Sequence, residues 1–257
     1  MFFSKKVKVG TSVLRVPRDM AWCFAGGRYY ETNVIHWMDS VLKSYSSPVL
    51  YDIGANYGYF SVRCAEFCSA IYAFEPVSRT FSVLENNLNR NNLPHVQPFN
   101  VGLSSSESKV SINLYSSSGN NSIYKRDLPL GHPLKEIGQE TIRVVRLDDF
   151  MALNQLRPPD VLKIDIEGAE LYALQGAQEV LSRFRPCIFM EYSDSTSNDA
   201  GYAKELLLSE LHRYDYEITG LTDDADNLDL VPESDLARYT IANIIAVPKG
   251  KSLGLER

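Results

Sequence analysis

No stretch of this 257-residue chain stays apolar over the ~18 residues needed to cross a bilayer. The opening MFFSKKVKVG lacks the apolar central region of a secretory signal, so a cytoplasmic location is expected. Positive charge is in deficit: 26 Lys and Arg stand against 32 Asp and Glu, a formal net charge of −6. That balance leaves no electrostatic footprint for a nucleic-acid backbone, and no nucleic-acid partner is expected. Cysteine is scarce, with four residues, which fits a reducing compartment. Cys64 and Cys68 share a helix face at i, i+4, but nothing at suitable spacing supplies two further zinc ligands. They read as small core side chains. Internal repeats and low-complexity tracts are absent.

What is present is ordinary for a globular domain: 44% apolar and 23% charged residues, enough to bury a sizeable core. Short apolar runs alternate with amphipathic segments, which points to an α/β fold with a parallel sheet. Strands are predicted at Val49–Ile53, Ala70–Phe74, His95–Val101, Lys109–Tyr115, Thr141–Arg146, Val161–Ile166, Cys187–Tyr192, Tyr216–Leu221 and Thr240–Val247. Helices are predicted from Gly58 to Cys68, from an N-cap at Ser78, over Ala169–Phe184 and over about Ala200–Arg213. The pattern implies a single domain over 1–257. Its core covers 47–250 and carries an insertion at about 104–146, whose polar part, Ser116–Gln139, is long for a structureless loop. Residues 1–46 are too short to build a core of their own. They are read as a lid or substrate-side extension, with a hairpin across Gly10-Thr11 and a helix over 30–45.

The segment VLYDIGANYGYF (49–60) places a tight turn at the carboxyl end of a parallel strand, where open α/β sheets bind ligands. Gly54 and Gly58 remove side chains where backbone approaches a ligand. A dinucleotide turn wants Gly-x-Gly-x-x-Gly, whereas here the spacing is Gly-x-x-x-Gly with Asn56 between. Asp52 adds a carboxylate that repels a pyrophosphate and attracts the cationic amino-acid end of S-adenosylmethionine (SAM). The turn therefore favours SAM over NAD. A tight strand–helix turn with no ligand is the structural alternative. Glu75, at the end of the next strand, is placed to accept both hydroxyls of a ribose, or is a surface carboxylate before Pro76. Val101, at the end of the third strand, is a candidate for packing on the adenine, or is a plain strand end.

Together with YAFEPVSRTFSVLENNLNRN (72–91), VRLDDFM (145–151) and VLKIDIEGAELYALQGA (161–177), that turn resembles the FkbM family of SAM-dependent methyltransferases. The resemblance covers roughly residues 49–192. It implies a Rossmann-like class I methyltransferase fold, with seven mostly parallel strands, the last antiparallel, and helices on both faces. It also implies methyl transfer to a hydroxyl oxygen of a small molecule, often a sugar or natural product.

Methyl transfer to an alcohol requires alignment and a group to take the hydroxyl proton. On a strand, Lys163, Asp165 and Glu167 project to one side, and three ionisable groups there are costly unless paired or used. Asp165 is the first candidate for a base or metal ligand. Glu167 is the second, with Lys163 as its electrostatic partner. A satisfied ion-pair cluster is the alternative, and Glu167 also fits as a first-turn acid of the following helix. Glu191 ends the neighbouring strand and would join Asp165 around a hydroxyl or a Mg²⁺ ion. His132, in the insertion, is an alternative base, while His36, His95 and His212 read as surface or satisfied histidines. Gly119-Asn120-Asn121-Ser122 reads as a turn meeting cofactor or substrate. Trp22, Phe24, Tyr29 and Tyr30 offer an aromatic surface for an acceptor, or core. Two other classes remain open: an NAD-dependent oxidoreductase and a non-catalytic SAM-binding module.

Overall fold

The computed structural model describes residues 4–17, 31–129, 131–222, 228–239 and 241–251. The aromatic group Trp22, Phe24, Tyr29 and Tyr30 lies outside the described residues. A hairpin of β1 (Ser4–Val9) and β2 (Ser12–Pro17) precedes helix α1 (Thr32–Lys43). The first half of the core follows as β3 (Val49–Ile53), α2 (Tyr59–Cys64), β4 (Ala70–Phe74), α3 (Ser78–Arg90) and β5 (Val96–Phe99). Short β6 (Gly102–Leu103), β7 (Ser108–Tyr115) and β8 (Glu136–Val145) make a separate three-stranded sheet. The second half is α4 (Leu147–Leu153), β9 (Val161–Ile164), α5 (Glu170–Gln175), β10 (Cys187–Glu191), α6 (Asp194–Asp199) and α7 (Glu205–His212). Strands β11 (Tyr216–Thr222), β12 (Leu230–Pro232) and β13 (Ile241–Pro248) complete it.

The central sheet runs β12-β11-β13-β10-β9-β3-β4-β5. Strands β3, β4, β5, β9 and β10 pair in parallel, and β13 inserts antiparallel between β10 and β11. Eight strands replace the expected seven because β12 adds an antiparallel edge on β11. Strand alternation divides the core between the two faces. Tyr51, Ile53, Phe74, Leu162 and Ile164 pack with Leu171 and Leu207 on one side. Leu50, Ile71, Val161 and Phe189 pack with Val34, Phe60 and Leu84 on the other. Both faces of β3 are therefore buried, which is why VLYDI reads as a continuous apolar run broken only by Asp52. Cys64 and Cys68 lie in the second cluster as core side chains.

Several boundaries differ from the sequence reading for local reasons. The helix expected over Ala169–Phe184 breaks at Gly176, where a Cβ would stand 2.1 Å from the Ser104 carbonyl oxygen, and resumes as a π-helical turn at Val180–Phe184. The helix expected from Ala200 is two helices, α6 and α7. Ser78 does not cap α3: its N–H and hydroxyl donate to Glu140 Oε1 instead. The third strand stops at Phe99, where the Asn100 amide turns back to donate to the Glu75 and Pro76 carbonyls.

The Asn-rich end of α3 has a structural use. Asn87 accepts from the Arg15 N–H (2.8 Å) and donates to the Arg15 carbonyl (3.0 Å) and the Tyr57 carbonyl (2.8 Å). One turn on, Asn91 holds the Val13 N–H and carbonyl in the same way. Four helical residues rise ~6 Å and two strand residues ~6.8 Å, so amides at i, i+4 match backbone groups at i, i+2. The two side chains act as a substitute strand edge for β2. Asn87 is fully buried. Asn87→Ala should lower stability by about 2–4 kcal/mol, since each buried backbone group left unpaired costs about 1–3 kcal/mol. Thermal melts together with faster amide exchange at Arg15 check this.

Candidate active site

The carboxyl ends of β3, β4 and β9 open into a cleft of about 910 Å³. Three crossings of the chain build its floor. The first is the turn after β3. Gly54 (φ +82°) donates to the Phe74 carbonyl, and an added Cβ there would sit 1.9 Å from the Asp165 carbonyl oxygen. Gly58 (φ +86°) starts α2, and a Cβ on it would meet Leu84 at 2.6 Å. Both positions exclude side chains for packing reasons and leave a cradle of backbone. Asn56 adopts the left-handed conformation (φ +51°), and its side-chain oxygen accepts from Ser118 Oγ at 3.0 Å.

The second crossing is Glu75. Its Oε2 accepts from the Asn56 N–H at 3.0 Å and its Oε1 from the Val77 N–H at 2.9 Å. The carboxyl is therefore fixed between the β3 and β4 turns, and it lines the cleft. Burial raises its pKa to about 7, against the lowering effect of those two hydrogen bonds.

The third is the segment after β9. The strand ends at Ile164, two residues earlier than expected, and Glu167 takes φ +57°. Strict alternation therefore fails beyond Asp165. Lys163 Nζ donates to Asp165 Oδ2 at 2.8 Å and lies 4.7 Å from the Phe60 ring centre. Lys163, Asp165 and Glu167 all line the cleft. Burial works against the Lys163 ammonium, but Asp165, then Asp52 and Glu31, overcome it and raise its pKa above the ordinary lysine value. Lys163 is the partner of Asp165, not of Glu167 as the sequence reading had it. Glu167 pairs with Arg126 from the insertion. Burial and then Asp165 raise the Glu167 pKa to about 8, with Arg126 opposing. The first-turn acid of α5 is Glu170, which accepts from the Ile166 N–H (2.8 Å) and Gly168 N–H (2.9 Å).

Other expected site residues stand elsewhere. Asp52 is fully buried, accepts from Ser61 Oγ at 2.6 Å, and does not line the cleft. Its charge reaches the site through Lys163, because its side chain faces α2. Val101 lies in an adjoining apolar slot of about 400 Å³ with Phe74, Ile142, Val144 and Ile166. His132 is exposed on a turn, accepts from the Leu134 N–H at 3.2 Å, and is not among the cleft residues. His95 bonds the Ala65 carbonyl and His212 bonds Glu233.

The insertion closes one side of the cleft. Ser118, Gly119 and Asn121 line it, as the turn at 119–122 suggested. Ser122 Oγ donates to the Glu167 carbonyl at 2.6 Å. Arg126 holds Glu167, donates through Nε to the Asn120 carbonyl at 3.1 Å and lies 3.8 Å from Asp199. Sequence reading missed Arg126 because an irregular polar segment has no period to show where a side chain points.

The donors do not fit a magnesium ion. Asp165 is held by Lys163 and Glu167 by Arg126, so both carboxylates already carry a cationic partner. Among the described residues no three His, Cys, Asp or Glu side chains are arranged to hold a metal. The cradle does fit SAM, with glycine backbone at Gly54 and Gly58, a fixed acceptor at Glu75 and an apolar slot alongside.

The family model described as the methyltransferase FkbM domain matches residues 52–218, well over half the chain. The chain belongs to the FkbM methyltransferase family. It is a SAM-dependent methyltransferase, and the oxidoreductase and non-catalytic readings fall. Methyltransferase 1 of Beauveria bassiana is 31% identical over 176 residues, covering 63% of this chain and 70% of that protein. The hexuronic acid methyltransferase AglP of Haloferax volcanii is 30% identical over 179 residues, covering 69% and 68% respectively. The crystal structure of an FkbM methyltransferase from Methylobacillus flagellatus KT shares the fold, with a TM-score of 0.52 and 19% identity over 78% of this chain. This chain spans 43% of that structure's chain. No helix among the described residues of this FkbM protein is long and apolar enough to cross a membrane.

Proposed function

We propose that this protein transfers the methyl group of SAM to a hydroxyl oxygen of a small molecule, a sugar or natural product. The observation that carries the reading is Asp165, a carboxylate held in place by Lys163 and facing the cleft beside the glycine cradle. Relatives support the oxygen as acceptor: AglP is named for hexuronic acid, and the 29%-identical NoeI of Sinorhizobium fredii is named a 2-O-methyltransferase. The net charge of −6 favours a small acceptor over a nucleic acid.

Bound SAM supplies an electrophilic methyl group on a sulfonium that leaves as a neutral thioether. Glu75 accepts the ribose hydroxyls, and the slot around Val101 takes the adenine. Gly54, Asn56 and Gly58 let the backbone approach the amino-acid end. Asp165 accepts the proton of the acceptor hydroxyl as the new O–CH₃ bond forms, and Lys163 keeps that carboxylate oriented. Arg126 and Ser122 hold the Glu167 segment as the wall next to it. Alignment of this kind is worth roughly 7–11 kcal/mol.

Glu75 gives the reading a pH signature. Its carboxylate accepts from two hydroxyls, whereas its protonated form accepts poorly. Because the ligand-free pKa is raised to about 7, affinity for SAM should rise as pH increases from 6 to 8 and level off above. Glu75→Gln should bind weakly at every pH, without that slope. Calorimetric titration across the range checks it; a flat wild-type profile removes Glu75 from ribose binding.

The acceptor class is tested by turnover of labelled SAM against hydroxylated sugars and natural products. Dialysis against EDTA should leave that turnover unchanged, because the donor set does not fit a divalent ion. Loss of activity with EDTA and recovery with Mg²⁺ would contradict this.

A further inference from the structure

A second cleft, of about 1130 Å³, adjoins the first. The two share Val16, Tyr57, Val77, Ser118 and Asn121 as walls. The second cleft lies between β2, the start of α3 and the insertion. Two arginines, Arg15 and Arg79, line it, and no aspartate or glutamate does among the described residues. Such a wall is notable in a chain of net charge −6. Glu140, across from the start of α3, is engaged by the Ser78 N–H and hydroxyl.

Arg15 is unusually well prepared for a ligand. Its backbone N–H and carbonyl are both gripped by Asn87, which also holds Tyr57 of the cofactor turn. Its Nε is buried and has no hydrogen-bond partner. A buried guanidinium N–H without a partner is unfavourable, and an anionic acceptor at this side chain relieves it. Guanidinium suits carboxylate or phosphate oxygens through paired N–H donors. Thr80 and Ser116 also line the cleft with their hydroxyls, as does Ile137, which is 60% exposed. An exposed isoleucine beside hydroxyl donors suits a ring with one apolar and one polar face.

We infer that this cleft is the acceptor subsite and that it selects an anionic acceptor, a sugar-like molecule carrying a carboxylate or phosphate that Arg15 binds. The inference rests on methyl transfer to a small hydroxyl compound as proposed above, and it adds the charge of that compound. The acceptor's anionic end lies against Arg15, and its reacting hydroxyl reaches the SAM cleft past Ser118 and Asn121.

Binding is tested apart from turnover. The protein saturated with S-adenosylhomocysteine is titrated calorimetrically with glucuronate, glucose 6-phosphate and glucose. One or both anionic sugars should bind, at least tenfold more tightly than glucose. Binding of glucuronate alone assigns a carboxylate, and of the phosphate alone a phosphoryl group. Arg15→Gln should lose at least tenfold of that affinity while S-adenosylhomocysteine affinity and melting temperature stay near wild type. Equal affinity for glucose, binding of neither anion, or binding untouched by Arg15→Gln overturns the inference. Those outcomes leave the hydroxyl-methylation reading standing, because it is decided by the labelled product and not by acceptor charge.

Discussion

Asp165→Asn is expected to bind SAM as the wild type does and to lose methyl transfer by about 10²–10⁴-fold, the usual contribution of a positioned base. The amide keeps the shape of the carboxyl and can still accept from Lys163 Nζ through its oxygen. What it cannot do is take the proton of an acceptor hydroxyl. The cradle at Gly54 contacts the backbone of residue 165, not its carboxyl, so cofactor affinity should hold. A variant that turns over at the wild-type rate would remove Asp165 from the chemistry. Parallel loss of SAM binding would instead place the carboxylate in the cofactor site. Measuring kcat and the SAM dissociation constant on one preparation separates these outcomes.

Gly54→Ala should be far more damaging than a single methyl suggests. Residue 54 sits at φ +82°, where a Cβ costs about 1–3 kcal/mol, and the added carbon would lie 1.9 Å from a backbone carbonyl oxygen. A carbonyl at the end of a buried strand cannot swing aside as a side chain would, so β3 and the Asp165 segment must separate. A loss of at least about 3 kcal/mol in stability is expected, with SAM binding lost in whatever fraction remains folded. Gly10→Ala is the control. It has a similarly positive φ of +58° but nothing within 4 Å, and it should cost only about 1 kcal/mol. Chemical denaturation of both variants reads the difference; equal losses would mean that the strand ends are less closely packed than described.

The parts of this fold that could be read from the sequence are those where one local rule dominates. Val49–Ile53 and Ala70–Phe74 were predicted to the residue, because a strand buried on both faces is a plain apolar run that ends at a turn. The tight turn after Ile53 is equally legible, since Gly54 and Gly58 mark it and both take positive φ. What could not be read depends on which distant group a polar side chain meets. Lys163 was assigned to Glu167 by strand alternation, yet Glu167 leaves the strand and finds Arg126, 41 residues earlier. A strand-end position points Asp52 to the cofactor cleft, but its side chain is buried against Ser61 instead. The hold of Asn87 and Asn91 on β2 is a long-range match that no periodicity carries.

Transfer of an isotopically labelled methyl group tests the central claim most directly. With ¹³C-methyl SAM and each acceptor that turns over, the carbon spectrum of the product distinguishes a methoxy group from a methyl on nitrogen or carbon. A methoxy carbon that depends on wild-type Asp165 is the expected result. A labelled methyl on nitrogen or carbon, or the same methoxy product formed at full rate by Asp165→Asn, would contradict it.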